Sequence, residues 1–226
     1  MSELFEKLPM DGVKHIIVVA SGKGGVGKST VAANLAVAMA REGLNTALFD
    51  ADIFGPSIPK MFGIEDVKPD VSALNNKEIF FPVKKYGVNI MSIGFFVDRN
   101  QSLIWRGPMA GKAVTQLLGD TQWGDTDYMI IDFPPGTSDI QLTTVQKLNL
   151  TGALIVTTPQ ELSLNDARKA GSMFLNPDLN VPVLGVIENM SWFSPANHPE
   201  EVYYVFGKGG GLKLANELNT SLLGQI

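Results

Sequence analysis

The chain has 226 residues, a size that suits one domain burying about 70% of its unfolded surface. Hydrophobic residues make up 45% and charged residues 18%, which excludes the charge-rich composition of a disordered chain. A formal net charge of −5 sets the overall field against nucleic acid and anionic lipid. The absence of cysteine excludes disulfides, a thiol nucleophile and thiolate-ligated zinc or iron–sulfur sites within this chain.

Residues 1–8 are too acidic and too weakly apolar for a secretory signal, and no apolar run reaches the roughly 18 residues of a membrane span. A cytoplasmic enzyme, with neither membrane nor nucleic acid as partner, is expected. Apolar runs without alternation at 15–20, 46–49, 128–131, 153–156 and 183–187 predict strands buried on both faces. Helical spacing at 29–41, 111–118, 138–147 and 163–174 predicts helices between them. The alternation implies an α/β fold, a doubly wound, mostly parallel sheet with helices on both faces and ligands beyond the carboxyl ends of the strands. Residues 69–88, punctuated by Asn75, Asn76 and Pro82, break the pattern and predict an insertion or antiparallel excursion rather than a second domain. Residues 222–226 read as a strand just beginning, so a truncated C-terminus is expected.

Gly22-Lys23-Gly24-Gly25-Val26-Gly27-Lys28-Ser29, followed by Thr30, fits G-x-x-x-x-G-K-[ST] between a predicted strand and a predicted helix. Glycines let successive backbone N–H groups turn inward around phosphate oxygens, and the helix presents its positive end to the same charge. Lys28 is expected on the β- and γ-phosphates, and Ser29 on magnesium. A single P-loop ATPase domain over residues 1–226, binding ATP and Mg2+, is the expected organisation. Lys23, directly after the first glycine, makes the loop resemble the deviant Walker A motif of the MinD, ParA and nitrogenase iron-protein class. The resemblance implies an ATP-dependent homodimer in which Lys23 reaches the partner's phosphates.

Asp50 and Asp52 follow the second strand, where carboxylates hold the water shell of magnesium and orient the attacking water. By the same resemblance, Asp52 polarises that water and Asp50 supports the loop or the metal's water shell. Tyr128-Met129-Ile130-Ile131-Asp132 is a Walker B arrangement that aims Asp132 at magnesium. Phe133-Pro134-Pro135-Gly136 continues it, two prolines stiffening a turn whose Gly136 backbone is expected to sense the γ-phosphate. Guanine readers carry Asn-Lys-x-Asp; here Asn76-Lys77 is followed by Glu78-Ile79, which favours adenine, and Asn189 is the candidate to read its edge. Residues 206–211 imitate a second phosphate loop but lead into Leu212 where Lys-Ser is required, and predict a helix entrance.

Residues 20–30, 50–59, 105–109 (Trp-Arg-Gly-Pro-Met), 132–139, 158–160 (Thr-Pro-Gln) and 188–191 (Glu-Asn-Met-Ser) together resemble the Mrp/ApbC family of iron–sulfur carrier ATPases over nearly the whole chain. The resemblance implies carriage or delivery of an iron–sulfur cluster, with client or scaffold proteins as partners. Many members place a Cys-x-x-Cys pair after Asn-Met-Ser; here residues 192–200 read Trp-Phe-Ser-Pro-Ala-Asn-His-Pro-Glu, with Pro195 and His198 near the cysteine positions and no thiolate. Two other functions fit the same superfamily. A positioning or partition ATPase of the MinD/ParA kind predicts a basic face or a terminal amphipathic helix; a small-metabolite kinase predicts transfer of the γ-phosphate to a supplied acceptor.

Overall fold

The computed structural model describes residues 6–74, 77–96, 107–137 and 139–226, so Asn75, Asn76, Trp105, Arg106 and Ser138 lie outside the described residues. In chain order the elements are β1 (Val13–Ala20), α1 (Lys28–Arg41), β2 (Thr46–Asp50), α2 (Ile58–Met61), β3 (Asp70–Leu74), β4 (Lys77–Phe81), β5 (Val83–Lys85), β6 (Val88–Ser92), a 3₁₀ turn (Ile93–Phe95), α3 (Gly107–Gly119), β7 (Thr126–Asp132), α4 (Asp139–Lys147), β8 (Gly152–Thr157), α5 (Glu161–Phe174), β9 (Val183–Glu188), α6 (Gly210–Glu217) and β10 (Leu222–Gln225). Backbone pairing orders eight strands as β10-β9-β8-β1-β7-β2-β6-β5, with β3 and β4 a separate hairpin. The pairs β2–β7, β2–β6, β8–β9 and β9–β10 are parallel, and β5–β6 is antiparallel. The mostly parallel sheet expected from the alternation is therefore present.

The chain gathers into two compact units, the first made of Met1–Val18, Ser29–Pro134 and Ser138–Thr151, the second of Val19–Lys28, Pro135–Thr137 and Gly152–Ile226. In the first unit, every residue of β2 is buried and Leu48, Phe49, Ile90, Met91, Met129, Ile130 and Ile131 have no exposed surface. Continuous apolar runs become strands covered on both faces because only there is each alternate side chain removed from water. Phe49 meets Trp123 edge to face at 6.2 Å, and the Trp123 indole N–H donates to the Leu118 carbonyl at 2.9 Å. Helix α1 is rich in alanine, the strongest helix former, and ends where Gly43 takes a φ of 87° just beyond Arg41.

The excursion expected over 69–88 is antiparallel in β3–β4 and again in β5, which pairs antiparallel with β6 at the edge of the main sheet. β6 lies parallel to β2, with Val88 against Thr46 and Ile90 against Leu48. Asn89 interrupts the apolar run in sequence, and burial of Val88, Ile90 and Met91 against the neighbouring strand outweighs it.

In the second unit, β8 is buried throughout, α5 packs on β8, and α6 packs on β9 and on α5. Ile155, Val156, Ala170, Phe174, Val186 and Leu214 are fully buried. β10 adds a half-covered strand alongside β9.

Candidate functional site

Residues 22–28, Gly136 and Asn189 belong to the second unit; Ser29, Thr30, Asp50, Asp52 and Asp132 belong to the first. In the second unit β1 ends in Val19 and Ala20, and the chain turns at Ser21, all fully buried. The Ser21 hydroxyl donates to the Lys23 carbonyl at 3.0 Å, while the Ser21 carbonyl accepts the Gly136 N–H at 2.9 Å. Gly25 and Gly27 have φ of 81° and 85°, a backbone conformation that side chains disfavour. A Cβ on Gly22 would lie 2.0–2.3 Å from the Asp166 and Ala167 backbone, so the loop meets α5 backbone to backbone. The Asn189 amide donates to the Val26 carbonyl at 2.9 Å and stands 2.1 Å from where a Cβ on Gly27 would be. Donors from beyond the loop thus take the Ser21 and Val26 carbonyls, which would repel an anion if they faced it. Lys28 is buried at 6% exposure and opens α1, while Lys23 is half-buried and Gly24 and Thr30 are exposed.

Two expectations are refined here. Gly136 takes a φ of 86°, and its N–H is engaged by Ser21 rather than turned to a ligand. Asn189, expected at the base, has its amide nitrogen on the phosphate loop.

In the first unit the parallel register sets Asp50 level with Asp132 on one side and with Ser92 on the other. All three end their strands and are fully buried. Asp50 Oδ1 accepts the Asp52 N–H at 3.1 Å; Oδ2 accepts the Ile58 N–H at 3.2 Å and the Ser92 hydroxyl at 3.0 Å. Burial, and then the neighbouring Asp132 carboxylate, push the Asp50 carboxyl up to about 7 against the lowering effect of these donors. The half-buried Asp52 accepts the Gly55 N–H at 3.2 Å, which turns the chain on itself, and Phe54 at 67% exposure marks the outer part of that loop. Ala51 N–H donates to the Asp132 carbonyl at 2.9 Å, tying the loop to the end of β7.

Ser92, Gly94 and Gln141 carry no sequence motif, yet they build this region. Gln141 is fully buried in α4 and donates to the Pro134 carbonyl, steadying the two-proline turn. A lone serine after an apolar run and a glutamine on an amphipathic helix are too common to single out from sequence.

Residues 192–200 form the loop where the resemblance places cysteines. Phe193 and Tyr203 exchange backbone hydrogen bonds at 2.9 Å in each direction, and His198, Glu200 and Glu201 are exposed with side-chain ligand atoms within 4.8 Å of one another. No thiolate exists in the chain, so these residues do not fit a cysteine-held cluster. No helix among the described residues is long and apolar enough to cross a membrane.

With the two sets of residues described, the likeness to known proteins is specific. The chain is 49% identical over 224 residues to an iron–sulfur cluster carrier protein of Aquifex aeolicus, covering 99% of this chain and 60% of the relative. It is 48% identical to that of Escherichia coli, covering 96% of this chain and 57% of the relative. It thus spans less than two thirds of the length of both. A solved nucleotide-binding protein of Archaeoglobus fulgidus, described in complex with ADP and with Co, superposes with a TM-score of 0.80 at 38% identity, covering 96% of this chain and 83% of that one. The cell-division ATPase MinD of Pyrococcus furiosus shares the fold at a TM-score of 0.62 and 23% identity, covering 94% of this chain and 82% of that one. The ParA family, described as NUBPL iron-transfer P-loop NTPase, matches residues 12–226, and the chain belongs to it.

Proposed function

We propose that this chain is an ATPase in which residues 22–30 hold the phosphates of ATP and Asp52 orients the attacking water. What carries the proposal is the phosphate loop: left-handed glycines at Gly25 and Gly27, with the carbonyls of Ser21, just before the loop, and Val26, within it, taken by Gly136 and Asn189. A chain so arranged turns backbone N–H groups, not carbonyls, toward a bound anion. Lys28 and Ser29 are consecutive, so a lysine for the β- and γ-phosphates and a hydroxyl for the metal follow directly on the loop. Magnesium, when bound, neutralises charge on the β- and γ-phosphates. Ser29 and Asp132 are assigned to hold it, since a hydroxyl and a carboxylate are the oxygen donors that this hard cation takes. Lys23 and Lys28 offset the charge that develops on the leaving phosphate. Adenine is assigned as the base, with the Asn189 amide oxygen to contact it while the nitrogen stays on Val26.

Replacing Asp52 by Asn tests this. It is expected to lower kcat about a hundredfold while MgATP affinity stays within about threefold. Hydrolysis at the unaltered rate by the Asp52→Asn chain would remove Asp52 from the chemistry.

The relatives are named as iron–sulfur cluster carriers. We infer that the ATP cycle of this chain, acting as a cytoplasmic, ATP-dependent homodimer, serves the same traffic, the cluster being cargo whose thiolate ligands come from client or scaffold proteins. Anaerobic incubation with iron and sulfide, alone and with a cysteine-bearing scaffold, checks this. Iron retained only with the scaffold is expected; stable uptake by this chain alone would overturn the division of labour.

A further inference from the structure

Ser92 is fully buried at the end of β6, level with Asp50 across the parallel register. Its oxygen accepts the Gly94 N–H at 3.0 Å, and its hydroxyl lies 3.0 Å from Asp50 Oδ2. With a lone pair of that oxygen engaged by Gly94, the proton is directed at the carboxylate, an acceptor with no exposed surface and a strong need for donors. Asp50 passes the constraint on. Its two oxygens take the Asp52 N–H and the Ile58 N–H, the two ends of the loop that carries Asp52. The middle of the loop is backed by the same segment, since a Cβ on Gly94 would meet Pro56 Cβ at 2.9 Å. The loop is therefore held at both ends through one carboxylate, and that carboxylate is held by one hydroxyl from the next strand.

We propose that Ser92 is a positioning residue for hydrolysis, fixing the Asp50 carboxylate and through it the backbone of Asp52 and of residues 53–58. Ser92 is fully buried and is assigned no contact with nucleotide or water; its effect on rate passes through Asp52, and so rests on the role proposed for Asp52 above. A displacement of the order of 1 Å at a group that orients a nucleophile costs up to about a hundredfold in rate, so a single buried hydrogen bond suffices to matter. A serine that merely shaped the 3₁₀ turn at Ile93–Phe95 would alter stability and leave the split between kcat and KM unchanged.

The test is steady-state ATP hydrolysis by the full chain as a double-mutant cycle of Ser92→Ala and Asp52→Asn, with melting temperature and binding of a non-hydrolysable ATP analogue measured on each variant. Ser92→Ala is expected to lower kcat about tenfold with KM for MgATP within about twofold, Ser92→Thr to restore most of it, and the double variant to be no slower than Asp52→Asn alone. Unaltered kcat in Ser92→Ala, or losses that multiply in the double variant, would overturn the proposal while leaving Asp52 in its role. Unaltered kcat in Asp52→Asn would instead overturn the role of Asp52, and with it that of Ser92. Should Ser92→Ala fail to fold, Gly94→Ala presses the same loop at Pro56 and must show the same loss of kcat at constant analogue affinity; if it does not, the proposal falls.

Discussion

The phosphate loop and the Asp50 cluster reach order by opposite means. The loop is built from backbone: Gly22 lies against the α5 backbone, Gly25 and Gly27 adopt left-handed φ, and the carbonyls of Ser21 and Val26 are taken by Gly136 and Asn189. The cluster is built from side chains, with one buried carboxylate gathering two N–H groups and a hydroxyl. A backbone site tolerates little change at its glycines and much at its exposed positions. A side-chain site fails one hydrogen bond at a time.

Lys28→Ala gives the largest expected effect, because it asks whether the backbone cradle suffices without its buried ammonium. ATP affinity is expected to fall at least about a hundredfold by calorimetry, since a charge-assisted bond to phosphate is lost from a site at 6% exposure. Near-normal affinity would mean that backbone N–H groups alone hold the nucleotide.

Next comes Gly22→Ala, which attacks the loop through sterics rather than charge. Its Cβ would lie 2.0 Å from the Asp166 carbonyl carbon, atoms that cannot rotate away. A loss of about 3 kcal/mol of unfolding free energy, read as a lower denaturant midpoint, is expected. Gly24→Ala is the matched control: its Cβ meets nothing within 4 Å, and the midpoint is expected to stay put. Equal losses at both positions would mean that glycine flexibility, and not the approach of α5, is what Gly22 supplies.

Asn189→Ala is a milder break. It removes the donor from the Val26 carbonyl, and a loss of about 1 kcal/mol, read as roughly fivefold weaker nucleotide binding, is expected. No change would show that the left-handed glycines hold the loop unaided.

The smallest effect belongs to Lys14 and Asp127, an exposed pair at 2.7 Å near the starts of β1 and β7. The hydrogen bond from Lys14 and that from the Asn45 N–H hold the Asp127 carboxyl below its usual range, and the same contact raises Lys14. Any stability from the depressed carboxylate is present above its unfolded pKa and lost as pH falls through the folded one. That from the raised ammonium is lost only at alkaline pH, through the folded pKa of Lys14. Solvent screens so open a pair, so Lys14→Ala is expected to leave the melting temperature at neutral pH within the error of the scan, with or without added salt. A clear shift would place unexpected weight on surface charge and weaken the contrast between the two buried regions.

Legibility followed the same divide. Gly22, Gly25, Gly27, Lys28 and Ser29 were readable because a phosphate cradle demands those residue types at fixed offsets along one stretch of chain. Asp50 and Asp132 were readable because each ends an apolar run, and Asp52 because it completes an Asp-Ala-Asp just beyond one and resembles the acidic pair of the deviant Walker A class. Ser92 and Gly94 were not, since their partners Asp50 and Pro56 lie far off in sequence and a lone serine or glycine has no offset to obey. Asn189 was placed at a strand end correctly as a position, but its bond to Val26, 163 residues away, is a fact of packing.

The sequence by itself determined the parallel α/β class, the phosphate loop and the acidic strand ends, because periodicity, glycine spacing and strand termini are properties of local chain geometry. Tertiary structure alone decided that β6 joins β2, that Asp50, Asp132 and Ser92 stand level, and that Asn189 and Gly136 take the carbonyls of Val26 and Ser21. Those relations depend on register between strands and on burial, which bring together groups that no spacing along the chain connects.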